Sequence, residues 1–378
     1  MRLITAFVAL LFPQLLFAQQ AAAPIPAPPP IAAKTYLLLD FKSGQLLASQ
    51  NPDERVEPAS LTKLMTAYLA FSALKQKTIR PDQMVPVSTR AWRTEGSRMF
   101  IEPSKPVTVD ELIHGVIVQS GNDACIALAE TIAGSEEVFA QMMNREAQRL
   151  GMKNTHFANS TGLPHSQHYS TAQDLALLAA AIIRDFPEYY PLYSLKDFRY
   201  NNITQANRNR LLWLDSTVDG MKTGYTENAG YCLITSARRG EQRLISVVLG
   251  TASESARAIE SQKLLNYGFQ VYDGVRLYGK NQPVATLKVW KGSGDSVKAG
   301  FAGDLYLSLP KGQIDKLKAS VESLQPLLSP ISAGQKVGIM KLTLDGRPFR
   351  ELPVVALENV PLAGILGRGW DTLRLLFK

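Results

Sequence analysis

A chain of 378 residues is too long for one typical domain and fits two. With 46% hydrophobic and 20% charged residues it has an ordinary globular balance, which excludes disorder as the overall state. The formal charge of +8 suits an anionic partner, but no arginine-rich block or aromatic stacking motif accompanies it, which speaks against nucleic acid.

Arg2, the almost purely apolar residues 4–17 and then Ala18 have the layout of a secretory signal peptide, assigned to residues 1–18. Its apolar run of about 14 residues falls short of the about 20 that a spanning helix needs. The bulky Leu16, three before the cut, leaves an uncleaved anchor open. The Ala/Pro-rich residues 19–32 read as an extended tether. Tyr36-Leu37-Leu38-Leu39-Asp40, the turn Lys42-Ser43-Gly44 and Gln45-Leu46-Leu47-Ala48 predict a hairpin. From Pro58 the apolar residues Leu61, Leu64, Met65, Tyr68 and Leu69 recur at helical spacing, with Pro58 and Ser60 as start signals. Further helices are predicted from Val109 and over 123–132, 136–150 and 172–184. Two strands at 230–237 and 243–250 follow, and a helix over 253–272. Strands at both ends of a helical middle imply one α/β unit at 33–275 whose sheet is closed by distant segments. Beyond it, short strand-like runs at 284–290, 304–309, 317–321 and 337–344 suggest a separate all-β domain at 276–360. Asp345-Gly346 is its clearest hairpin turn.

Three motifs carry the chemistry. Ser60-Leu61-Thr62-Lys63 stands at a helix start, Ser120-Gly121-Asn122 between two helices, and Lys222-Thr223-Gly224 before the strand pair. Residues i and i+3 share a helix face about 5–6 Å apart, so Lys63 reaches the Ser60 hydroxyl. A serine is a poor nucleophile until a neighbour takes its proton, and a lysine does so only when burial or a second cation, here Lys222, lowers its pKa. Ser120 and Asn122 flank Gly121 and suit proton relay and a carbonyl contact. Lys222 and Thr223 suit a carboxylate, and Gly224 allows close approach of a peptide backbone. Singly the first two motifs arise by chance about once in such a chain; their order and placement carry the inference.

On these residues the chain resembles the type-5 low-molecular-mass penicillin-binding proteins, which are serine D-alanyl-D-alanine carboxypeptidases. The likeness extends through Glu57-Pro58-Ala59, Asp123-Ala124-Cys125, Asn207-Arg208-Asn209 and Val218 to Thr226. It implies a β-lactamase/D,D-peptidase-like domain, with an antiparallel sheet flanked by helices plus an all-helical subdomain. A small all-β sandwich and a C-terminal amphipathic helix complete the implied α/β architecture. By the resemblance Ser60 is acylated, Lys63 is the base and Ser120 assists proton transfer. Asn122, Lys222, Thr223, Gly224, Tyr225 and Arg208 bind substrate, and the N–H groups of Ser60 and Tyr225 form the oxyanion hole. The implied substrate is the peptidoglycan pentapeptide, with β-lactams as covalent inhibitors and no cofactor. The implied place is the periplasmic side of the inner membrane; a homodimer or other wall-synthesis partners stay open.

At the C-terminus, Leu362, Ile365, Leu366, Trp370, Leu373, Leu376 and Phe377 fall within an arc of about 140°, with Arg368, Asp371, Arg374 and Lys378 opposite. Residues 361–378 are therefore expected either to dock on their own domain or to lie on anionic lipid, and the basic face and the resemblance favour the second. His114, His156, His165 and His168 lack metal-ligand spacing and read as core or loop residues. Cys125 and Cys232 sit in apolar surroundings that favour two buried thiols over a bridge. A β-lactamase would need a deacylating Glu-x-x-Leu-Asn run, which is missing between Ser120 and Lys222. A penicillin sensor without turnover is the other rival.

Overall fold

The computed structural model describes residues 26–376; the expected signal, residues 19–25 of the expected tether, Phe377 and Lys378 lie outside the described residues. In chain order the first unit comprises β1 (Thr35–Asp40), β2 (Leu46–Gln50), α1 (Lys63–Lys75), α2 (Asn122–Ala133), α3 (Glu136–Leu150) and α4 (Ala172–Asp185). It continues with β3 (Val218–Thr226), β4 (Gly230–Arg239), β5 (Gln242–Thr251) and α5 (Glu254–Val271). The strands form one antiparallel sheet in the order β2-β1-β5-β4-β3, so the N-terminal hairpin is completed by strands some 200 positions later.

Both faces of this sheet are covered, and β1 shows why its run is unbroken apolar. Leu37 and Leu39 point into the core shared with α1, α2 and α4, while Tyr36 and Leu38 point into the core under α5. The period of two thus serves two cores at once. The Gly240-Glu241 turn, with Gly240 at φ +58°, joins β4 to β5. Residues 26–32 do not float as a tether: Tyr267 Oη donates to the Pro26 carbonyl (2.9 Å), Ala32 N–H donates to Glu260 (3.2 Å), and Ile31 is buried against α5.

The second unit begins with β6 (Tyr272–Tyr278), which leaves α5 without a linker, so the expected boundary between residues 275 and 276 falls inside a strand. It continues with β7 (Pro283–Trp290), β8 (Ser296–Gly300), β9 (Leu305–Pro310), β10 (Leu317–Ser323), β11 (Lys336–Leu344) and β12 (Arg347–Ala356). Strands β10-β11-β12-β8-β7 and the pair Leu327–Leu328 form one sheet, β6 and β9 another, and the two share a single core. Asp345 and Gly346 both take positive φ (52° and 76°) and join β11 to β12, as a two-residue hairpin turn of this type requires. The described residues end in α6 (Ile365–Leu376).

The units meet through a polar hook on the β1–β2 turn. The Gln45 side-chain amide pairs with both backbone groups of Ser308, donating to its carbonyl (3.2 Å) and accepting from its N–H (2.8 Å), while the Ser43 and Ser308 hydroxyls lie 2.8 Å apart. At about 1 kcal/mol per hydrogen bond, Gln45→Ala removes about 2 kcal/mol from this joint. We expect severalfold faster limited proteolysis between α5 and β6, with the acylation rate by penicillin unchanged.

Candidate active site

Ser60 lies in a tight 3-10 turn, Ala59–Thr62, just ahead of α1 rather than on the α-helix itself. Ala59, before it, holds φ +47°, a conformation that costs a non-glycine residue about 1 kcal/mol or more and that the surroundings must enforce. Those surroundings include Gly162, at φ +83°, where a Cβ would stand 1.8 Å from the Ala59 carbonyl oxygen. The turn and the loop carrying Gly162 therefore interlock, and the loop sets the attitude of Ser60.

Lys63, the first residue of α1, is 1% exposed. Its Nζ contacts Ser60 Oγ (3.0 Å), Asn122 Oδ1 (2.7 Å) and the Thr161 carbonyl (2.6 Å). Two of these partners can only accept. A neutral lysine has two N–H bonds and one lone pair, so with both hydrogens taken by Asn122 and Thr161 the lone pair faces the Ser60 hydroxyl. Burial, with a further contribution from Arg208 rather than from the expected Lys222, brings the Lys63 pKa down to about 8. Geometry and basicity both suit proton abstraction from Ser60.

Ser120 terminates a short π turn, Gly115–Gln119, and adopts the left-handed conformation with φ 61°. Its buried Oγ makes no hydrogen bond among the described residues. Asn122, opening α2, is held from behind: its Nδ2 donates to the Glu95 carbonyl (2.6 Å) and its N–H to the Ser97 carbonyl (2.7 Å). The buried Asp123 carboxylate accepts N–H bonds from Met99, Phe100, Ile101 and Ala124, which ties the 97–101 wall of the cleft to α2.

Lys222, Thr223 and Gly224 lie within β3 itself, not ahead of the strand pair, and β3 is the edge of the sheet. An edge strand offers unpaired backbone groups to an extended peptide. A Cβ on Gly224 would meet the Pro58 carbonyl at 3.1 Å and the Leu61 side chain at 3.2 Å, so glycine lets β3 close on the Ser60 turn. Lys222 is buried, and burial, then Lys63 and Arg208, hold its pKa well below the usual lysine value. An arriving carboxylate would reverse that and favour the charged form. Arg208 projects into the cleft from a turn pinned by the buried Asn207 and Asn209; Asn209 Nδ2 donates to the Gly220 carbonyl (3.1 Å) and its Oδ1 accepts from Leu211 N–H (3.2 Å). Tyr225 is half-exposed and packs its ring on Tyr231, centroids 4.4 Å apart.

The expected site residues converge on one cleft of about 560 Å³, with Lys63 and Lys222 buried at its base. Sequence reasoning missed two contributors. Thr161 acts through its carbonyl, which no side-chain motif announces. Arg257 comes from the first turn of α5, lines the cleft and donates from Nη1 to the Gly224 carbonyl (3.3 Å). His168 is a buried structural residue within 2.8 Å of Thr62 Oγ1, and burial takes its pKa to about 4. Cys125 and Cys232 are buried free thiols, and burial pushes Cys125 up to about 12, out of range as a nucleophile. Among the described residues no cluster of three or more His, Cys, Asp or Glu is placed to hold a metal.

Residues 21–253 match the family model for D-alanyl-D-alanine carboxypeptidase, and residues 272–362 match that for the C-terminal domain of penicillin-binding protein 5. The chain is 42% identical to D-alanyl-D-alanine carboxypeptidase DacC of Escherichia coli (strain K12), over 99% of this chain and 94% of the relative. It is 43% identical to DacA of Haemophilus influenzae, over 93% and 91% respectively. The crystal structure of penicillin-binding protein 5 from Haemophilus influenzae superposes with a TM-score of 0.86 at 42% identity, covering 89% of this chain and 99% of that one. The chain belongs to the D-alanyl-D-alanine carboxypeptidase family, as a serine-type peptidase of the penicillin-binding kind.

Proposed function

We propose that this carboxypeptidase removes the terminal D-alanine of peptidoglycan pentapeptides with Ser60 as nucleophile and Lys63 as general base. The observation that carries the assignment is the Nζ contact set, which leaves only Ser60 able to donate to the lysine lone pair. The substrate carboxylate lies against Lys222, Thr223 and Arg208, and its backbone runs along the free edge of β3 past Gly224 and Tyr225. Ser60 passes its proton to Lys63 as Oγ bonds to the scissile carbonyl carbon. The oxyanion is held by the N–H groups of Ser60 and Tyr225. The C–N bond breaks as the leaving nitrogen takes a proton through Ser120, whose hydroxyl is not committed to any other group among the described residues. Water then attacks the acyl-serine and frees the shortened peptide. A β-lactam enters the same route, its ring amide in place of the scissile bond.

Release of D-alanine from a D-alanyl-D-alanine peptide, together with covalent penicillin labelling, checks the assignment. Wild type should do both and Ser60→Ala neither. Stable labelling without D-alanine release would instead indicate a sensor, and rapid penicillin turnover a β-lactamase. The pH dependence follows from the lowered Lys63 pKa. Only the neutral amine accepts the proton, so the acylation rate constant should rise as pH increases through about 8 and fall about tenfold per unit well below it.

For the C-terminal helix the exposed apolar face favours the lipid reading over docking on its own domain. Ile365, Leu366, Trp370, Leu373 and Leu376 are all exposed, Leu366 at 90%, and no residue of α6 is buried. Among the described residues no helix is long and apolar enough to cross a membrane. The enzyme is exported and held peripherally on the outer face of the inner membrane through residues 361–378. Truncation before Pro361 should leave the protein in the supernatant when vesicles of mixed zwitterionic and anionic phospholipid are sedimented, and full-length protein should pellet with them. Co-sedimentation of the truncated form would sink this attachment.

A further inference from the structure

The loop that supplies the Thr161 carbonyl to Lys63 is braced by a carboxylate with no part in the chemistry. Glu136, the first residue of α3, is almost fully buried. Its Oε1 accepts two hydrogen bonds from one residue, Ser160 N–H (3.0 Å) and Ser160 Oγ–H (2.7 Å). Its Oε2 accepts from Arg90 Nη2 (2.6 Å). From the opposite side, Thr66 Oγ1, one turn after Lys63 on α1, donates to the Ser160 carbonyl (2.6 Å). All of Ser160's polar groups are therefore engaged by α1 and α3. The next turn is closed by Asn159 Oδ1, which accepts from Thr161 N–H, Thr161 Oγ1 and Gly162 N–H. With its N–H and hydroxyl consumed in that Asx turn, Thr161 presents only its carbonyl to the site, and Lys63 takes it.

We infer that Glu136 is a positioning residue for the catalytic lysine: through Ser160 it fixes the Thr161 carbonyl that fills one Nζ hydrogen of Lys63 and so aims the lone pair at Ser60. The inference rests on the assignment of Lys63 as base. A buried carboxylate is expensive to maintain unless its acceptors are filled, and here three donors fill them, one of them cationic. The placement serves precision rather than charge supply, because Glu136 reaches Lys63 only through two residues of backbone. If the brace is lost, the loop slackens, water replaces the Thr161 carbonyl and the Nζ lone pair is free to turn away. The principal cause of the lowered Lys63 pKa, its burial, weakens at the same time. The charged and titratable groups around Lys63 are Asp123 and Cys125 on α2, Lys222 on β3, Arg208 and His168. Those around Glu136 and its arginine are Arg90, Glu130, Glu137 and Cys125. None of them is altered by removing the Ser160 hydroxyl, which makes Ser160→Ala a clean companion to changes at Glu136.

The test measures the second-order rate constant for acylation of the full chain by a fluorescent penicillin, as a function of pH, alongside the thermal midpoint. In Glu136→Ala we expect acylation slower by about tenfold to a hundredfold, the range that a misplacement of about 1 Å produces, with the midpoint of the pH profile moved upward. Glu136→Gln retains an oxygen acceptor for both Ser160 bonds and should stay within about threefold of wild type. Ser160→Ala, which deletes one of the two bonds, should fall between them with a smaller upward movement. Wild-type rate and pH midpoint in Glu136→Ala overturn the inference. So does a slowed Glu136→Ala whose pH midpoint stays put while only the thermal midpoint drops, since that describes a merely structural brace. Glu136→Gln as slow as Glu136→Ala also overturns it. Should Glu136→Ala fail to fold, the other two variants decide, and a Ser160→Ala profile superimposable on wild type counts against the role. Failure of the underlying assignment reads differently: wild type would not label, or Ser60→Ala still would.

Discussion

The saturation of one nitrogen governs this active site. Lys63 Nζ has three tetrahedral directions and meets three partners, of which two are carbonyl oxygens that cannot give a proton. On the proposed mechanism, that asymmetry aims the lone pair of the neutral lysine at one hydroxyl. Each partner is delivered by a different part of the chain: Ser60 by the turn before α1, Asn122 by the start of α2, Thr161 by the loop between α3 and α4. The two-sided core around the five-stranded sheet brings those three segments to one point, at contact distances of 2.6 to 3.0 Å from Nζ.

A second constraint is the crowding of cations. Lys63, Lys222, Arg208 and Arg257 all approach one cleft, and burial and their mutual repulsion depress both lysines. Such an arrangement is costly when empty and relaxed by an anion, so binding a free terminal carboxylate is favoured over binding an internal peptide segment. The preference for trimming a chain end is thus built into the electrostatics of the empty site.

The sequence disclosed what side chains do and concealed what backbone does. Ser60, Lys63, Ser120, Asn122, Lys222 and Thr223 could be singled out because three motifs, each weak alone, follow one another in order at a helix start, a loop and a strand. Thr161 was not, since a carbonyl belongs to every residue and only the Asx turn at Asn159 selects this one. Arg257 belongs to no motif, and its contact with Gly224 exists only after β3 and α5 are packed. The N-terminal hairpin, the long helices and the Asp345-Gly346 turn were legible from local periodicity and turn chemistry. The π turn ahead of Ser120 was not, because it imposes no apolar period; the hairpin at Asp197–Tyr200 and Ile203–Ala206 escaped because its strands are only four residues long, although Phe198 and Tyr200 alternate with Asp197 and Arg199 and pack on the core.

The interlock between Gly162 and the Ala59 carbonyl also bears on how this enzyme can change over time. A side chain at residue 162 would push directly on the backbone that carries the nucleophile, and no relaxation of a flexible neighbour can absorb it. Most walls of a cleft offer an inhibited enzyme an escape by substitution; this one does not, because the same displacement that expels an inhibitor moves Ser60. A compound that seats itself against Gly162 therefore presses on a surface whose alteration displaces the Ser60 turn itself.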